Sequence, residues 1–222
     1  MQTKSLTATL FWFATAAVAL CGPRFTVSGK VVDSVGKPIR NATVMVYHAG
    51  VKNGYSTFCP SCYEDCGKRT TTDESGLYTI AKLNPSLWFE LLVVREGYAP
   101  TFIRVEDLPN GPVPTAVLNI RKSIIDPTSA VKGHLVDGEG DVVRDAVVKS
   151  EGIEIDKGSM IGTIPGLDPL AVTNQNGDFE LVYTEPAKRM LLSIEARTLA
   201  PKFVVLVTGK DRQTIELSKG AS

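Results

Sequence analysis

The stretch VSGKVVDSVGKPIRNATV, residues 27–44, decides the reading of this chain because it returns. Gly29, Asp33, Gly36 and Ala42 recur 104 positions later as Gly133, Asp137, Gly140 and Ala146. The echo continues in Thr72-Asp73-Glu74-Ser75-Gly76-Leu77-Tyr78 against Thr173-Asn174-Gln175-Asn176-Gly177-Asp178-Phe179, now offset by 101, and in Ala99-Pro100 against Ala200-Pro201. A unit of about 100 residues has been duplicated. Each copy must then hold its own core, and the places where the copies differ are where a special function can reside.

Within each copy the local signals are those of strands and turns. Phe25 to Val32 alternates at period two, Ala42 to Tyr47 is β-branched and Leu77 to Ile80 follows a turn. Leu87 to Val94 is a long apolar run, and Thr101 to Val105 and Ala116 to Ile120 close the unit. Helical periodicity is absent. Asp33-Ser34-Val35-Gly36 and Asp73-Glu74-Ser75-Gly76 set an Asp that can bond its own backbone three residues before a Gly that can take positive φ, and Asp137-Gly138-Glu139-Gly140 and Asn174-Gln175-Asn176-Gly177 repeat the device. The predicted fold class is all-β, with two tandem Ig-like/transthyretin-like antiparallel β-sandwich domains at residues 22–122 and 129–219. The connection 121–128, containing Asp126-Pro127, is short enough that the domains should sit like beads with limited swing. Ala42 and Ala146, each opening a strand after a turn, are expected to be small buried sites.

The first residues carry targeting information rather than fold. Met1-Gln2-Thr3-Lys4 is a positive n-region, Leu6 to Ala19 an apolar run of 14 residues and Ala17-Val18-Ala19 a small-x-small cleavage site, so residues 1–21 read as a secretory signal. The run is short of the roughly 20 residues that cross a bilayer. Val18-Ala19-Leu20-Cys21 resembles a bacterial lipobox, but Leu20 stands where that pattern wants Gly, Ala or Ser, so cleavage after Ala19 is preferred to lipidation of Cys21. A lipid at Cys21 is the only membrane attachment expected. Lys plus Arg, 24, equals Asp plus Glu, 24, with no basic block, which argues against nucleic acid or an anionic membrane surface. The expected location is exported: secreted or periplasmic, or tethered to the envelope.

Gly29, Asp33, Gly36, Pro38, Ala42 and Val44, then Thr72-Asp73 with Gly76 and Tyr78, then the apolar run ending near Gly97-Tyr98-Ala99-Pro100, resemble the carboxypeptidase regulatory-like domain. The resemblance covers both copies, from Arg24 to Leu217. It implies a transthyretin-like sandwich of seven strands that serves as a non-catalytic accessory of exported enzymes, outer-membrane receptors and surface proteins, sometimes placed with carbohydrate-binding folds. It supplies no catalytic residue and no cofactor. Its motifs are turn and core positions, which specify a fold more than a function.

Chemistry read directly from the residues agrees. The two histidines, His48 and His134, have no Ser or Cys at a nucleophile spacing, and His-Glu-x-x-His, Gly-x-Ser-x-Gly and phosphate loops are all missing.

The copies differ most in the loop Ala49 to Lys68, which carries Cys59-Pro60-Ser61-Cys62-Tyr63-Glu64-Asp65-Cys66; its counterpart, Gly152 to Leu170, has no Cys. The first reading is a disulfide between Cys59 and Cys66, with Cys62 the second candidate partner for Cys66. The two-residue gap between Cys59 and Cys62 reads as a tight ring, whereas Tyr63-Glu64-Asp65 supplies slack. Such a bond would stabilise by roughly 2.5 kcal/mol in the chain-entropy model. The alternatives are a metal set of Cys59, Cys62, Cys66 and His48, which an oxidising compartment disfavours, and a reactive thiol. Tyr55, Phe58, Tyr63 and Trp88 are candidates for stacking on a sugar or peptide. The function expected is a non-catalytic exported structural or interaction module whose partner is a protein of the cell envelope. A module binding a surface glycan is the alternative, and a metal or redox site in the Cys loop comes third.

Overall fold

The computed structural model describes residues 24–106, 113, 115–119 and 126–220. The expected signal segment 1–21, with Cys21, and most of the connection 121–128 lie outside the described residues. The first unit has the strands β1 (Phe25–Asp33), β2 (Thr43–Val51), β3 (Arg69–Thr71), β4 (Leu77–Leu83), β5 (Leu87–Val94), β6 (Thr101–Val105) and β7 (Ala116–Leu118). The second has β8 (Ala130–Asp137), β9 (Val147–Ile155), β10 (Gly158–Ile161), β11 (Leu170–Val172), β12 (Asp178–Val182), β13 (Arg189–Glu195), β14 (Lys202–Val207) and β15 (Gln213–Leu217). Helix is confined, among the described residues, to one 3₁₀ turn at Pro127–Ser129.

Each unit pairs a three-stranded sheet with a larger one: β4-β1-β7 with β3-β2-β5-β6, and β12-β8-β15 with β10-β9-β13-β14, where β11 also pairs with β9. The ladders are antiparallel except for β1 with β7 and β8 with β15, which are parallel, so the expectation of a purely antiparallel sandwich needs that amendment. The last strand of each unit has crossed from the opposite sheet, and after such a crossover it can run alongside the first strand in the same direction.

The repeated residues repeat their bonds. Asp33 Oδ1 accepts the N–H of Val35 at 3.0 Å and of Lys37 at 2.8 Å, and Asp73 Oδ1 those of Ser75 at 2.8 Å and Leu77 at 2.9 Å. Asp137 and Asn174 do the same for Glu139 and Asp141, and for Asn176 and Asp178. The glycine closing each turn has φ between 73° and 87°, where a Cβ would strain the backbone. A second device joins the turns to the core. The Thr72 hydroxyl donates to Ile39 O at 2.6 Å and accepts the Ala42 N–H at 2.9 Å, and Thr173 does so with Val143 O and the Ala146 N–H, both at 2.9 Å. Ala42 and Ala146 are both fully buried beside these bolts, as expected. In the three-stranded sheets an aromatic ring lies flat on a glycine, Tyr78 on Gly29 and Phe179 on Gly133, too close for any larger residue below it.

One core gathers Val31, Val44, Phe89, Leu91 and Leu118, and a second gathers Val131, Val148, Phe179, Leu192 and Leu217. A third, smaller cluster joins Met45, Leu92 and Val94 of the first unit to Val147 and Leu170 of the second, flanked by Tyr47 and Val172. It corrects the picture of beads on a tether. In β5, Leu87, Phe89, Leu91 and Val93 face their own sandwich, while the alternate residues Leu92 and Val94 are covered by the neighbouring unit. A strand buried on both faces loses its alternation, which is why Leu91 to Val94 is uninterruptedly apolar. Arg69 Nη2 donating to Asp145 O at 2.6 Å and Asn174 Nδ2 donating to Glu96 Oε2 at 2.9 Å tie the rim of the seam.

Candidate functional site

The Cys-rich loop leaves β2 at Val51 and returns at β3. Its disulfide is Cys59–Cys62, with Cα atoms 5.2 Å apart, and Cys66 is a free, half-buried thiol, so the expected Cys59–Cys66 pairing is wrong. The error lay in treating a two-residue gap as too tight. Cys59 to Cys62 is a β-turn, closed by the Cys62 N–H on Cys59 O at 3.0 Å, and a turn of that kind brings its ends within the span a disulfide bridges. The Cys66 thiol instead donates to Pro60 O at 3.3 Å. Burial is the main influence pushing that thiol's pKa up, with nearby Asp65 adding to it and backbone hydrogen bonds around Tyr63 and Ala49 opposing it. A thiol held protonated in this way is a poor nucleophile, which weakens the redox reading.

The supposed slack, Tyr63-Glu64-Asp65, is the anchor of the loop. Asp65 is 1 % exposed. Its carboxylate accepts the Asn84 N–H at 2.9 Å and pairs with Lys68 and, at 3.4 Å, with Arg24, whose other nitrogen reaches Glu64 at 3.1 Å. The sequence signal was thin: an acid three residues before Lys68, in a segment otherwise read as spacer. The loop backbone is also fixed to β2, where the Ala49 N–H donates to Pro60 O at 2.7 Å and the Gly67 N–H to Val46 O at 2.8 Å.

The metal set does not assemble. Cys59 and Cys62 are bonded to each other, and His48 Nδ1 lies 3.0 Å from Glu90 Oε2 across the β2–β5 ladder. Among the described residues no group of three or more His, Cys, Asp or Glu side chains could hold a metal ion. His134 is likewise tied, to Asp178 at 2.8 Å, and Asp178 also receives Arg212 at 2.9 Å.

The aromatic candidates divide. Trp88 lies flat over Gly50, and the Arg104 guanidinium sits 3.5 Å from its ring centroid, so both faces are occupied and Trp88 is not a stacking platform. Tyr63 packs on the first core, with its hydroxyl on Ser56 Oγ. Tyr55 and Phe58 remain, at 103 % and 62 % exposure. Phe58 meets Tyr63 at 5.6 Å with the rings inclined by 60°, so these two do not make a flat shelf. Around them is a recess of about 670 Å³ lined by Val51, Tyr55, Phe58, Tyr63, Asn84 and Leu87.

Residues 26–121 match the family model of the carboxypeptidase regulatory-like domain. A search of curated proteins finds no match. Among solved structures, a streptococcal ancillary pilin is similar at 16 % identity and a TM-score of 0.34, over 89 % of this chain and 62 % of the pilin, so the chain spans less than two thirds of that protein. The shaft pilin SpaA of Lactobacillus rhamnosus GG is similar at 10 % identity and a TM-score of 0.33, over 89 % of this chain and 97 % of its own. The major pilin SpaD of Corynebacterium diphtheriae is similar at 10 % identity and a TM-score of 0.30, over 89 % and 98 %. The turn and core motifs that run from Gly29 to Pro100 lie within residues 26–121, the stretch that is similar to the carboxypeptidase regulatory-like domain.

Proposed function

We propose that this chain is an exported, non-catalytic interaction module in which a second carboxypeptidase regulatory-like sandwich supports the first, and that the stapled loop 52–66 is its contact surface for a protein of the cell envelope. The observation that carries the reading is the pair Tyr55 and Phe58, exposed at the tip of a loop that is otherwise fastened by a disulfide, a buried aspartate and backbone bonds. Aromatic side chains held rigidly in water lose little freedom on docking, and they are what protein contacts use as anchors. Both histidines are in structural pairs, and no activated nucleophile accompanies them among the described residues. The Cys59–Cys62 bond suits the oxidising compartment to which the signal segment points. Cleavage after Ala19, without a lipid on Cys21, completes the reading.

Two measurements test it. Mass spectrometry of the mature protein from its own cells should show a chain starting at Leu20, with Cys66 alkylated before reduction and Cys59 and Cys62 only after it. A full-length cytosolic chain with all thiols free would end the export reading. A photo-crosslinking phenylalanine analogue in place of Phe58, used on intact cells, should yield one discrete protein adduct that a probe at the remote, exposed Val35 does not yield. Identical labelling from both positions would remove the loop from the proposal.

A further inference from the structure

Beside the apolar seam the two units leave a cleft of about 740 Å³, inside the roughly 300–1,000 Å³ range of ligand sites. Four arginines line it: Arg69 and Arg95 from the first unit, Arg144 and Arg197 from the second. Arg69 is held by the Asp145 carbonyl, a bond that leaves its charge unneutralised. The guanidinium groups of Arg95, Arg144 and Arg197 have no ion-pair or hydrogen-bond partner among the described residues. The carboxylates of the same lining are mostly engaged elsewhere. Asp178 is paired with His134 and Arg212, Glu180 with Lys132, and the buried Asp168 accepts the Val182 N–H. The charges of Asp145, Asp168 and Glu96, the last bonded to Asn174, face four guanidinium groups, which leaves one positive charge over. The cleft therefore carries an excess of positive charge in a chain whose net charge is zero. Guanidinium forks match carboxylates in shape as well as in sign.

The rest of the lining selects the kind of anion. None of the large exposed apolar side chains, such as Phe102, Ile161, Phe203 or Val205, borders this cleft. The apolar part of the lining is half-buried, in Tyr98, Pro100, Val143 and Val172, and offers a peptide partner no large exposed anchor. What the cleft offers instead are the hydroxyls of Thr70 and Thr71 and the exposed carboxamides of Gln175 and Asn176. The geometry points to an acidic saccharide chain as the ligand, with its carboxylates on the arginines and its hydroxyls on the threonines and carboxamides. The site is separate from the stapled loop and stands or falls independently of it.

Tetragalacturonate titrated calorimetrically into the full chain is the probe. Binding is expected at sub-millimolar concentration, weakening as salt rises. The triple variant Arg95→Gln/Arg144→Gln/Arg197→Gln should bind at least tenfold more weakly with an unchanged melting temperature, and the methyl ester of the same oligosaccharide should not bind. The proposal is overturned by an absence of heat with tetragalacturonate or by undiminished binding in the triple variant. Equal binding of a tetraglutamate peptide would overturn it as well, since the cleft would then read charge and not saccharide.

Discussion

The loops that follow the second strand of each unit occupy equivalent places in the repeat, residues 52–68 in the first copy and 156–169 in the second, yet they are held by different means. In the second copy β9 turns at Asp156-Lys157 straight into β10, and Ile155 to Gly152 pair with Gly158 to Ile161, so the ladder itself satisfies the backbone. In the first copy residues 52–68 form no strand; the Cys59–Cys62 turn and the Asp65 ion pairs take the ladder's place. Both loops still end on a buried aspartate that accepts a backbone N–H, Asp65 from Asn84 and Asp168 from Val182. A loop that pairs with itself needs one such tie. A loop that must project aromatic side chains without a strand beneath them needs covalent and ionic ties as well.

The comparison can be broken most severely at the aspartates. Asp65→Ala leaves the Asn84 N–H without its acceptor and strips Arg24 and Lys68 of their counter-charge, and it should cost about 2–4 kcal/mol, discounted from a fully buried pair because both cations are partly solvated. Asp168→Ala removes the acceptor of the Val182 N–H and should cost about 1–3 kcal/mol. Denaturant midpoints measure both, and an unchanged midpoint for Asp65→Ala would mean that its ionic ties contribute nothing. The threonine bolts test sameness rather than difference. Thr72→Val and Thr173→Val each strip a buried carbonyl and a buried amide of partners, at about 2–3 kcal/mol apiece, and a gap above about 1 kcal/mol between them would disprove their equivalence.

Removing the staple comes next. Cys59→Ser/Cys62→Ser opens a four-residue ring, a loss of about 2 kcal/mol in the chain-entropy model. Limited proteolysis should then cut within residues 52–66 and leave the second unit intact; unchanged resistance of the loop would show that Asp65 alone suffices.

Two natural exchanges between the copies supply smaller effects. Tyr78 and Phe179 are equivalent, and the Tyr78 hydroxyl is buried with no hydrogen-bond partner among the described residues. Tyr78→Phe should stabilise by about 1 kcal/mol. Burial pushes the Tyr78 pKa up to about 12, from 10.0. Its contribution is therefore complete below pH 10 and drains away as pH rises towards 12, because the unfolded chain releases the proton first. The variant should lack that part of the alkaline fall in stability, and identical wild-type and variant curves from pH 10 to 12 would refute the assignment. Thr198, with φ of 64°, stands where the first copy has Gly97, with φ of 81°. Thr198→Gly should raise stability by about 0.5–1 kcal/mol, strain relieved less the entropy glycine loses on folding, and a fall in melting temperature would show that the Thr198 hydroxyl bond to Arg197 O outweighs the strain.

The strands were legible because their evidence is local. Leu87–Val94 and Thr101–Val105 have the boundaries that alternation and apolar runs indicated, since the period of side chains along a strand is set by the backbone and does not depend on what lies across the sheet. The loop was not legible in this way. Which two of three cysteines meet depended on a β-turn at Pro60-Ser61, and whether Trp88 is a platform or a filler depended on Gly50 below it and Arg104 above, residues 38 and 16 positions away.

Duplication, turn chemistry and the all-β class were determined by sequence alone. A Gly that needs positive φ and an Asp that bonds the backbone two and four residues on are short-range requirements that residue identity satisfies or fails. The tertiary structure alone decided how the copies meet. Leu92 and Val94 read equally well as surplus core residues or as an interface, and only the approach of Val147 and Leu170 to them chose the interface. That same approach set Arg95, Arg144 and Arg197 around one cleft. Charges that far apart in sequence act on one ligand only after the chain has packed its two cores, because the field between them depends on distance through space.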